Sequence, residues 1–255
     1  MPGSQLYDSI GTTYTVTRRT EPRIAAQVWA ALGDARTVLN VGAGTGAYEM
    51  SSRAVTAVEP SAVMIAQRPA DAAPVIMASA EQLPFEDRSF DAAMAILSDH
   101  HWSDRRRGLS EMRRIARQRI VLFNANPGEA GSFWFTSEYL PEFLDLIEDR
   151  YFVAGAWERE LEAALGELRL IPVPIPHDCV DGFYGAFWRR PEAFLDPGVR
   201  AGISVFAQVG EQPTQRAIER LQADLRSGKW EREHRRLREL EELHLGYYVA
   251  VADVR

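Results

Sequence analysis

Three glycines alternate in residues 42–46, directly after the apolar run Thr37–Val41, and an acidic side chain, Glu59, ends the next apolar run. Glycine at every second position lets the backbone turn sharply and lets a ligand approach without meeting a Cβ atom. A helix beginning near residue 46 directs free N–H groups at that ligand. A carboxylate after the second strand can accept hydrogen bonds from ribose hydroxyls. The pattern therefore predicts a site for a nucleotide-like cofactor.

The glycine spacing alone leaves the cofactor open, because Gly42, Gly44 and Ala47 also fit the relaxed G-x-G-x-x-A form of proteins that bind NAD or FAD. A third segment, residues 78–91, separates these alternatives. Together with residues 38–49 and 58–64, it closely resembles the type 11 group of class I S-adenosylmethionine-dependent methyltransferases. The well-matched part of the chain spans residues 38–123.

This resemblance implies a set of contacts with S-adenosyl-L-methionine. The glycine loop would lie under the methionine portion, Glu59 on the ribose hydroxyls and Met64 against the adenine face. Backbone carbonyls after the fourth strand would bind the methionine ammonium. The implied cofactor-binding residues in residues 42–98 are Gly42, Ala43, Gly44, Thr45, Gly46, Glu59, Pro60, Met64, Ser79, Ala80, Glu81, Leu97 and Ser98.

Two positions depart from the commoner pattern of the group. Asn40 and Ser79 both stand where an aspartate is more usual, and both replacements keep a hydrogen-bond acceptor. A neutral side chain at position 40 removes one negative charge near the cationic cofactor, so we expect weaker electrostatic attraction there. The hydrogen bonds from the ribose hydroxyls to Glu59 would not be affected by this change.

The N-terminal residues 7–14, with Arg18 and Arg19, look like the flap that closes over the cofactor in related methyltransferases. By this resemblance Tyr14 would cover the cofactor, and Arg18 would meet its carboxylate through a charge-assisted hydrogen bond. The alternative is a surface tyrosine with solvated arginines.

Methyl transfer from a sulfonium is an in-line displacement that needs a positioned nucleophile and the exclusion of water rather than a catalytic triad. An acceptor that loses a proton needs a base, and His100 and His101 follow the fourth predicted strand. His101 is therefore a candidate base or substrate contact; the alternative is that it packs beside Trp102 and orders the loop. Trp102 and Trp134 are candidate substrate contacts, and aromatic residues in both insertions suit a flat or apolar small molecule.

Two other groups of residues have simpler explanations. His177, Asp178, Cys179 and Asp181 match no standard zinc spacing, so no metal is predicted; they indicate a turn or a loop that contacts substrate. The basic run Arg105-Arg106-Arg107 falls on a predicted helix, where it is typical of a solvated face.

Short apolar runs that alternate with helical patterns place these residues on one sheet. The predicted strands are Thr37–Val41 and residues 55–58, 74–78, 91–97, 120–123, 168–175 and 244–251. This is an α/β pattern. It predicts a Rossmann-like, seven-stranded, mostly parallel sheet with helices on both faces, an antiparallel edge strand and an inserted helical cap. We expect a single domain over residues 1–255, with an N-terminal flap at 1–20 and cap insertions at about 126–166 and 177–243.

Composition narrows the class of protein. The chain of 255 residues is 46% hydrophobic and carries a net charge of −7, so no basic surface supports nucleic-acid binding. One cysteine excludes an internal disulfide and fits a reducing cytoplasm. The sequence has no signal-peptide pattern and no apolar run of membrane-spanning length, which predicts a cytoplasmic protein, monomeric or homodimeric, without a membrane partner.

The leading interpretation is a methyltransferase that converts S-adenosyl-L-methionine to S-adenosyl-L-homocysteine while methylating O, N or C of a small organic molecule. An NAD(P)-dependent oxidoreductase remains an alternative. So does a protein that binds the cofactor without transferring its methyl group, such as a cyclase.

Overall fold

A computed structural model describes residues 17–254, and its centre is a seven-stranded sheet. The strands are β1 (Thr37–Val41), β2 (Ala54–Val58), β3 (Val75–Ile76), β4 (Phe90–Ile96), β5 (Ala116–Ala125), β6 (Leu168–Pro172) and β9 (Tyr247–Asp253). Their spatial order is β3-β2-β1-β4-β5-β9-β6, and the first five strands of that order pair in parallel. The predicted fold class is confirmed.

The antiparallel strand differs from the prediction in its position. β9 pairs antiparallel with both β5 and β6, so it lies one place in from the edge, and β6 forms the edge. Burial explains this arrangement: β9 is apolar and buried on both faces, whereas every residue of β6 is at least partly exposed. Pro172 ends β6, and proline is tolerated at an edge because it has no N–H to donate.

The apolar run at residues 168–175 forms two strands instead of one. After β6, residues Ile175–Pro176 form β7, which pairs with β8 (Glu242–Leu243) in a separate two-stranded ladder. Prolines at positions 172, 174 and 176 remove alternate N–H donors, so one continuous strand is not supported.

Helices cover both faces of the sheet, as predicted, but the helix expected to begin near residue 46 does not form, since residues 42–53 consist of turns and irregular backbone. The helices are α1 (Pro22–Ala31), α2 (Ala62–Ala66), α3 (Arg105–Ile115), α4 (Ala156–Leu165), α5 (Pro197–Ala201), α6 (Ser204–Val209), α7 (Glu211–Arg226) and α8 (Lys229–His234). Neighbouring strand residues point to opposite faces. Val38 therefore packs in the hydrophobic cluster that contains α1, and Leu39 packs in the cluster that contains α3 and α4.

Short helical turns and aromatic packing fill the segments between β5 and α4 and between β7 and β8. The first segment contains turns at Pro127–Ser132, Phe135–Tyr139, Pro141–Leu146 and Asp149–Phe152; the second contains turns at Tyr184–Phe187, Pro191–Leu195 and Arg235–Glu239. Within residues 17–254, no helix is long and apolar enough to cross a membrane.

Candidate functional site

The glycine loop leaves the carboxyl end of β1 in a left-handed turn. Gly42 has φ +69°, and its N–H donates to the Val58 carbonyl at 2.9 Å, which ties the loop to β2. A Cβ atom added at Gly42 would lie 2.8 Å from Cβ and Oγ of Ser98. Backbone conformation and close approach therefore both require glycine at this position.

Glu59 connects the loop to the next helix. Its Oε2 accepts from the Gly44 N–H at 2.8 Å, and its Oε1 accepts from the Ser61 N–H at 2.9 Å. The Ser61 hydroxyl in turn accepts from the Met64 N–H and caps α2. A carboxylate has about four acceptor sites, so Glu59 can also accept hydrogen bonds from hydroxyls of a ligand.

A buried ion pair supports the glycine loop from behind. Arg68 Nη2 lies 2.8 Å from Glu49 Oε2, and Arg68 Nη1 donates to the Gly44 carbonyl at 3.1 Å. The Asn40 amide donates to Glu49 Oε1 at 3.2 Å. An aspartate at position 40 would place two carboxylates side by side, which is unfavourable. The departure at Asn40 is therefore matched to Glu49, a pairing that sequence reasoning missed.

The loop after β4 approaches the glycine loop in a strained conformation. Leu97 has φ +50°, uncommon for a residue with a side chain, and its N–H donates to the Phe123 carbonyl at 2.7 Å. The Ser98 hydroxyl donates to the Val41 carbonyl at 2.9 Å. The ring of Trp102 packs on Gly108, where a Cβ atom would lie 2.4 Å from it. Such outliers cluster at functional sites.

These loops enclose a cleft of about 130 Å³. Asn40 and Ala47 also line it. It brings together every cofactor-binding residue predicted between positions 18 and 98 except Gly46: Arg18, Gly42, Ala43, Gly44, Thr45, Glu59, Pro60, Met64, Ser79, Ala80, Glu81, Leu97 and Ser98. Gly46 faces Glu49 and Arg68 instead. Tyr14 lies outside the described residues.

The lining of the cleft suits the ribose and base of the predicted cofactor. Gly42 and Gly44 leave room that a Cβ atom would fill, since one at Gly44 would lie 3.3 Å from Met64 Cε. Glu59, a buried carboxylate with acceptor capacity, lies beside this space. Polar backbone and an acidic acceptor facing an apolar methionine suit a ribose joined to a base.

A second cavity of about 870 Å³ adjoins the cleft, and the residues that line both spaces are Arg18, Leu97, His101, Trp102 and Ser103. Aromatic side chains from both segments that were predicted to form a cap line this cavity. They are Phe133, Phe143, Tyr151, Trp157, Phe183 and Tyr184. A ligand in the cavity would therefore lie against one end of the cofactor cleft.

The paired histidines lie between the two spaces with their rings 3.9 Å apart. His100 lies deep in the protein with its exposed surface facing the large cavity, and burial, aided by the nearby Arg105 cation, lowers its pKa to about 4. Burial and the neighbouring His100 hold the pKa of His101 well below the usual range. Both imidazoles are therefore neutral at pH 7.

A buried polar network forms the wall beside the histidines. Asp99 accepts from Asn124 and pairs with Arg105 at 2.7 Å, and Arg105 also pairs with Glu160 on α4 at 2.5 Å. The expectation of a solvated basic face is thus wrong for Arg105, whereas Arg106 is exposed. Asp99, six residues away, and Glu160, 55 residues away, stabilise the largely buried guanidinium.

A second network joins three distant stretches of the chain beside the cofactor cleft. Arg18 Nε lies 2.6 Å from Asp181 Oδ1, and the Tyr48 hydroxyl donates to Asp181 Oδ2 at 2.9 Å. The Gly182 N–H donates to the Thr17 carbonyl at 2.9 Å. Asp181 is fully buried. Arg18 lines both spaces, as a cofactor contact requires. Its partner is the carboxylate of Asp181, which the sequence placed in a turn or in a loop that contacts substrate.

Of the two tryptophans predicted to contact substrate, one lines the cavities and the other does not. Trp102 lines both spaces. Trp134 lines neither: its indole N–H donates to the Trp188 carbonyl at 2.8 Å and its ring packs 5.3 Å from that of Trp230. The substrate contact predicted for Trp134 is therefore not supported, because aromatic neighbours bury it within the cap.

Metal ligation at residues 177–181 finds no support in the geometry. Asp178 pairs with Arg23, and Asp181 pairs with Arg18, so arginines satisfy both carboxylates. Elsewhere in residues 17–254, the potential ligand atoms of Glu138, Glu233 and His234 lie within 4.8 Å of one another. This group lines neither the cleft nor the large cavity.

Comparisons with known proteins agree with this geometry. The sequence model of a family described as a methyltransferase domain, type 11, matches residues 39–123. A crystal structure from Anabaena variabilis, described as a methyltransferase from an antibiotic biosynthesis pathway, is 31% identical with a TM-score of 0.81. That alignment covers 92% of this chain and 98% of the other.

More distant structures share the fold. A protein from Thermotoga maritima, described as a SAM-dependent methyltransferase, is 14% identical with a TM-score of 0.59, covering 99% of this chain and all of its own. The [4+2]-cyclase SpnF is 15% identical with a TM-score of 0.55, covering 98% and 94% of the two chains. A fold alone therefore does not determine the reaction.

Proposed function

Because the chain belongs to the type 11 group of class I SAM-dependent methyltransferases, with S-adenosyl-L-methionine as its cofactor, we propose that it methylates a small organic molecule by direct displacement. The observation that carries the proposal is the junction at Leu97, His101 and Trp102, where the cofactor cleft meets a large aromatic cavity. The dinucleotide alternative based on Gly42, Gly44 and Ala47 is set aside, since this family uses a different cofactor.

The cofactor-binding residues are proposed as predicted, with one change. The loop at Gly42–Gly44 and the carboxylate of Glu59 bind the cofactor directly, Met64 and Ala80 contact the adenine, and the strained backbone at Leu97 presents its carbonyl to the methionine end. Gly46 instead keeps the loop close to the Glu49–Arg68 pair, since it faces these side chains rather than the cleft.

When bound, the cofactor supplies an electrophilic methyl group on a sulfonium. The chain's own residues hold an acceptor O–H, N–H or C–H at the junction and exclude water from it. The acceptor would displace that methyl group from sulfur, leaving S-adenosyl-L-homocysteine, and the imidazole of His101 would take up the proton that the acceptor releases. Burial lowers the pKa of His101, so its imidazole is neutral at pH 7.

We further propose that residues 1–255 form one domain. In this arrangement residues 1–20 act as a flap over the cofactor, and residues 126–166 and 177–243 act as caps over the acceptor. The Arg18–Asp181 pair supports this arrangement, because it joins the end of the flap to the second cap beside the cleft.

The proposal is tested by isothermal titration of cofactor-stripped protein with S-adenosyl-L-homocysteine, with NADH as the control ligand. Incubation with S-adenosyl-L-methionine and a panel of aromatic hydroxyl and amine acceptors follows, with products detected by mass spectrometry. We expect S-adenosyl-L-homocysteine to bind, NADH not to bind, and a methylated product to form. Binding of NADH alone would refute the cofactor assignment, and cofactor binding without product from any acceptor would favour a cyclase or another non-transferring role.

A further inference from the structure

In the wall of the large cavity, arginine side chains are paired with carboxylates, so that their charges are balanced within the protein. Arg105, a partly exposed cation of this wall, contacts two carboxylates, Asp99 and Glu160. Arg18 is also partly exposed and pairs with Asp181. A charged ligand would lose its hydration on entering and would have to compete with these existing partners.

Toward the opening of the cavity, positive and negative side chains are paired in the same way. Arg150 pairs with Glu148 at 3.0 Å and with Glu160 at 3.2 Å. At the rim, Asp104 and Arg106 are exposed and carry opposite charges. The histidines of the inner wall add no charge at pH 7, because burial lowers the pKa of both. The wall thus offers hydrogen-bonding groups without a net counter-charge for an ionic ligand.

The size and lining of the cavity specify the rest of the ligand. A volume of about 870 Å³ lies in the upper part of the range of about 300–1,000 Å³ that holds drug-sized ligands. A single aromatic ring would leave much of this space to water. Rings such as Phe133, Phe143 and Phe183, with aliphatic side chains such as Ile203, favour an extended apolar body.

We propose that the methyl acceptor is an uncharged, mainly apolar molecule of at least two fused or linked rings, with a hydrogen-bond donor directed at the paired histidines. This inference rests on the proposed function and narrows its substrate class. It excludes acceptors that enter as ammonium or carboxylate ions, because compensated arginines and neutral histidines leave such ions without a partner.

The test uses four probes on the full chain loaded with S-adenosyl-L-homocysteine at pH 7.5: phenol, 2-naphthol, 2-naphthoate and 2-naphthylmethylammonium. Isothermal titration should show 2-naphthol binding about tenfold or more tightly than either ion, a difference of about 1.4 kcal/mol. 2-Naphthol should also bind more tightly than phenol. Equal or tighter binding of either ion, or no binding of 2-naphthol to cofactor-loaded protein, would overturn the inference.

A charge variant tests the cause of this preference. Glu160→Gln removes a carboxylate shared by Arg105 and Arg150, so its affinity for 2-naphthoate should rise severalfold while that for 2-naphthol changes little. Glu192→Gln, which breaks a pair with Arg238 away from the cavity, is the matched control and should keep the wild-type ratio. An unchanged ratio in Glu160→Gln would contradict charge compensation as the cause.

A steric variant locates the binding site. Ala163 is an exposed α4 residue at the cavity, so Ala163→Phe should fold and should weaken 2-naphthol binding while keeping affinity for S-adenosyl-L-homocysteine. Unchanged 2-naphthol binding in this variant would place the probe elsewhere and overturn the assignment. Failure of the wild-type protein to bind S-adenosyl-L-homocysteine would instead refute the proposed function, so the two failures are distinguishable.

Discussion

Replacing Glu59 by glutamine should weaken cofactor binding by a predictable amount. The carboxylate accepts the Gly44 and Ser61 N–H groups at 2.8 and 2.9 Å and, in the proposed complex, the ribose hydroxyls. Glutamine keeps the volume but has a single acceptor oxygen, and its amide N–H₂ would face a group that itself donates. Losing one hydrogen bond to a charged acceptor costs about 2 kcal/mol, so the dissociation constant for S-adenosyl-L-homocysteine should rise about 30-fold.

A thermodynamic cycle separates the ribose contact from loop support. Isothermal titration would compare S-adenosyl-L-homocysteine with its 2′-deoxy analogue in wild-type and Glu59→Gln proteins. The wild type should prefer the natural ligand by about tenfold, equal to about 1.4 kcal/mol. The variant should lose most of that preference, because the partner of the hydroxyl is already gone.

Glu49→Gln is the matched control. Glu49 is also a buried carboxylate beside the glycine loop, but it pairs with Arg68 and does not line the cleft. This variant should have a lower melting temperature and still discriminate against the deoxy analogue. If Glu59→Gln discriminates as strongly as the wild type, Glu59 does not bind the ribose and the reasoning fails.

Two further predictions concern the glycine loop and the histidines. Gly42→Ala should lower the affinity for S-adenosyl-L-homocysteine about tenfold or more, since the added Cβ atom would lie 2.8 Å from Ser98. Gly210→Ala is the control, because Gly210 also has a positive φ but has open space around it. This variant should bind S-adenosyl-L-homocysteine as the wild type does in the same titration. For a hydroxyl acceptor, the acid limb of kcat/KM should lie well below pH 6.5, because burial lowers the pKa of His101 from that ordinary value and lowers the pKa of His100 to about 4. The variant His101→Asn should lack that limb. As pH falls, the histidines of the unfolded chain bind protons before those of the folded protein do. The free energy of unfolding, measured with urea, should therefore decrease as pH falls from about 6.5 toward 4. An acid limb of kcat/KM near pH 6.5 would contradict both the kinetic and the stability prediction.

Local patterns predicted the part of the molecule that holds the cofactor. Buried parallel strands such as β1 and β4 appear in the sequence as continuous apolar runs, and the glycine loop has a spacing that few other structures need. Strand ends on one sheet edge must meet, so the cleft around Glu59 followed from the strand assignments.

The remaining features depend on contacts between distant residues, which periodicity does not contain. Arg105 sits in a basic run typical of a solvated face, and only Asp99 and Glu160 make it a buried ion pair. Asp181 has the sequence context of a turn, yet Arg18 and Tyr48 bury it completely. Pairing partners of this kind are specified by the folded chain rather than by neighbouring residues.

The network around Asp181 also sets an order of events during synthesis. Arg18 and Asp181 are 163 positions apart, and Tyr48 and Asp181 are 133 apart. At about 5–20 residues per second, the ribosome needs about 8–30 s to add Asp181 after Arg18. Until Asp181 is added, the arginine and the tyrosine lack their shared acceptor, so this network can form only after the sheet strands β1 to β6 have been synthesised.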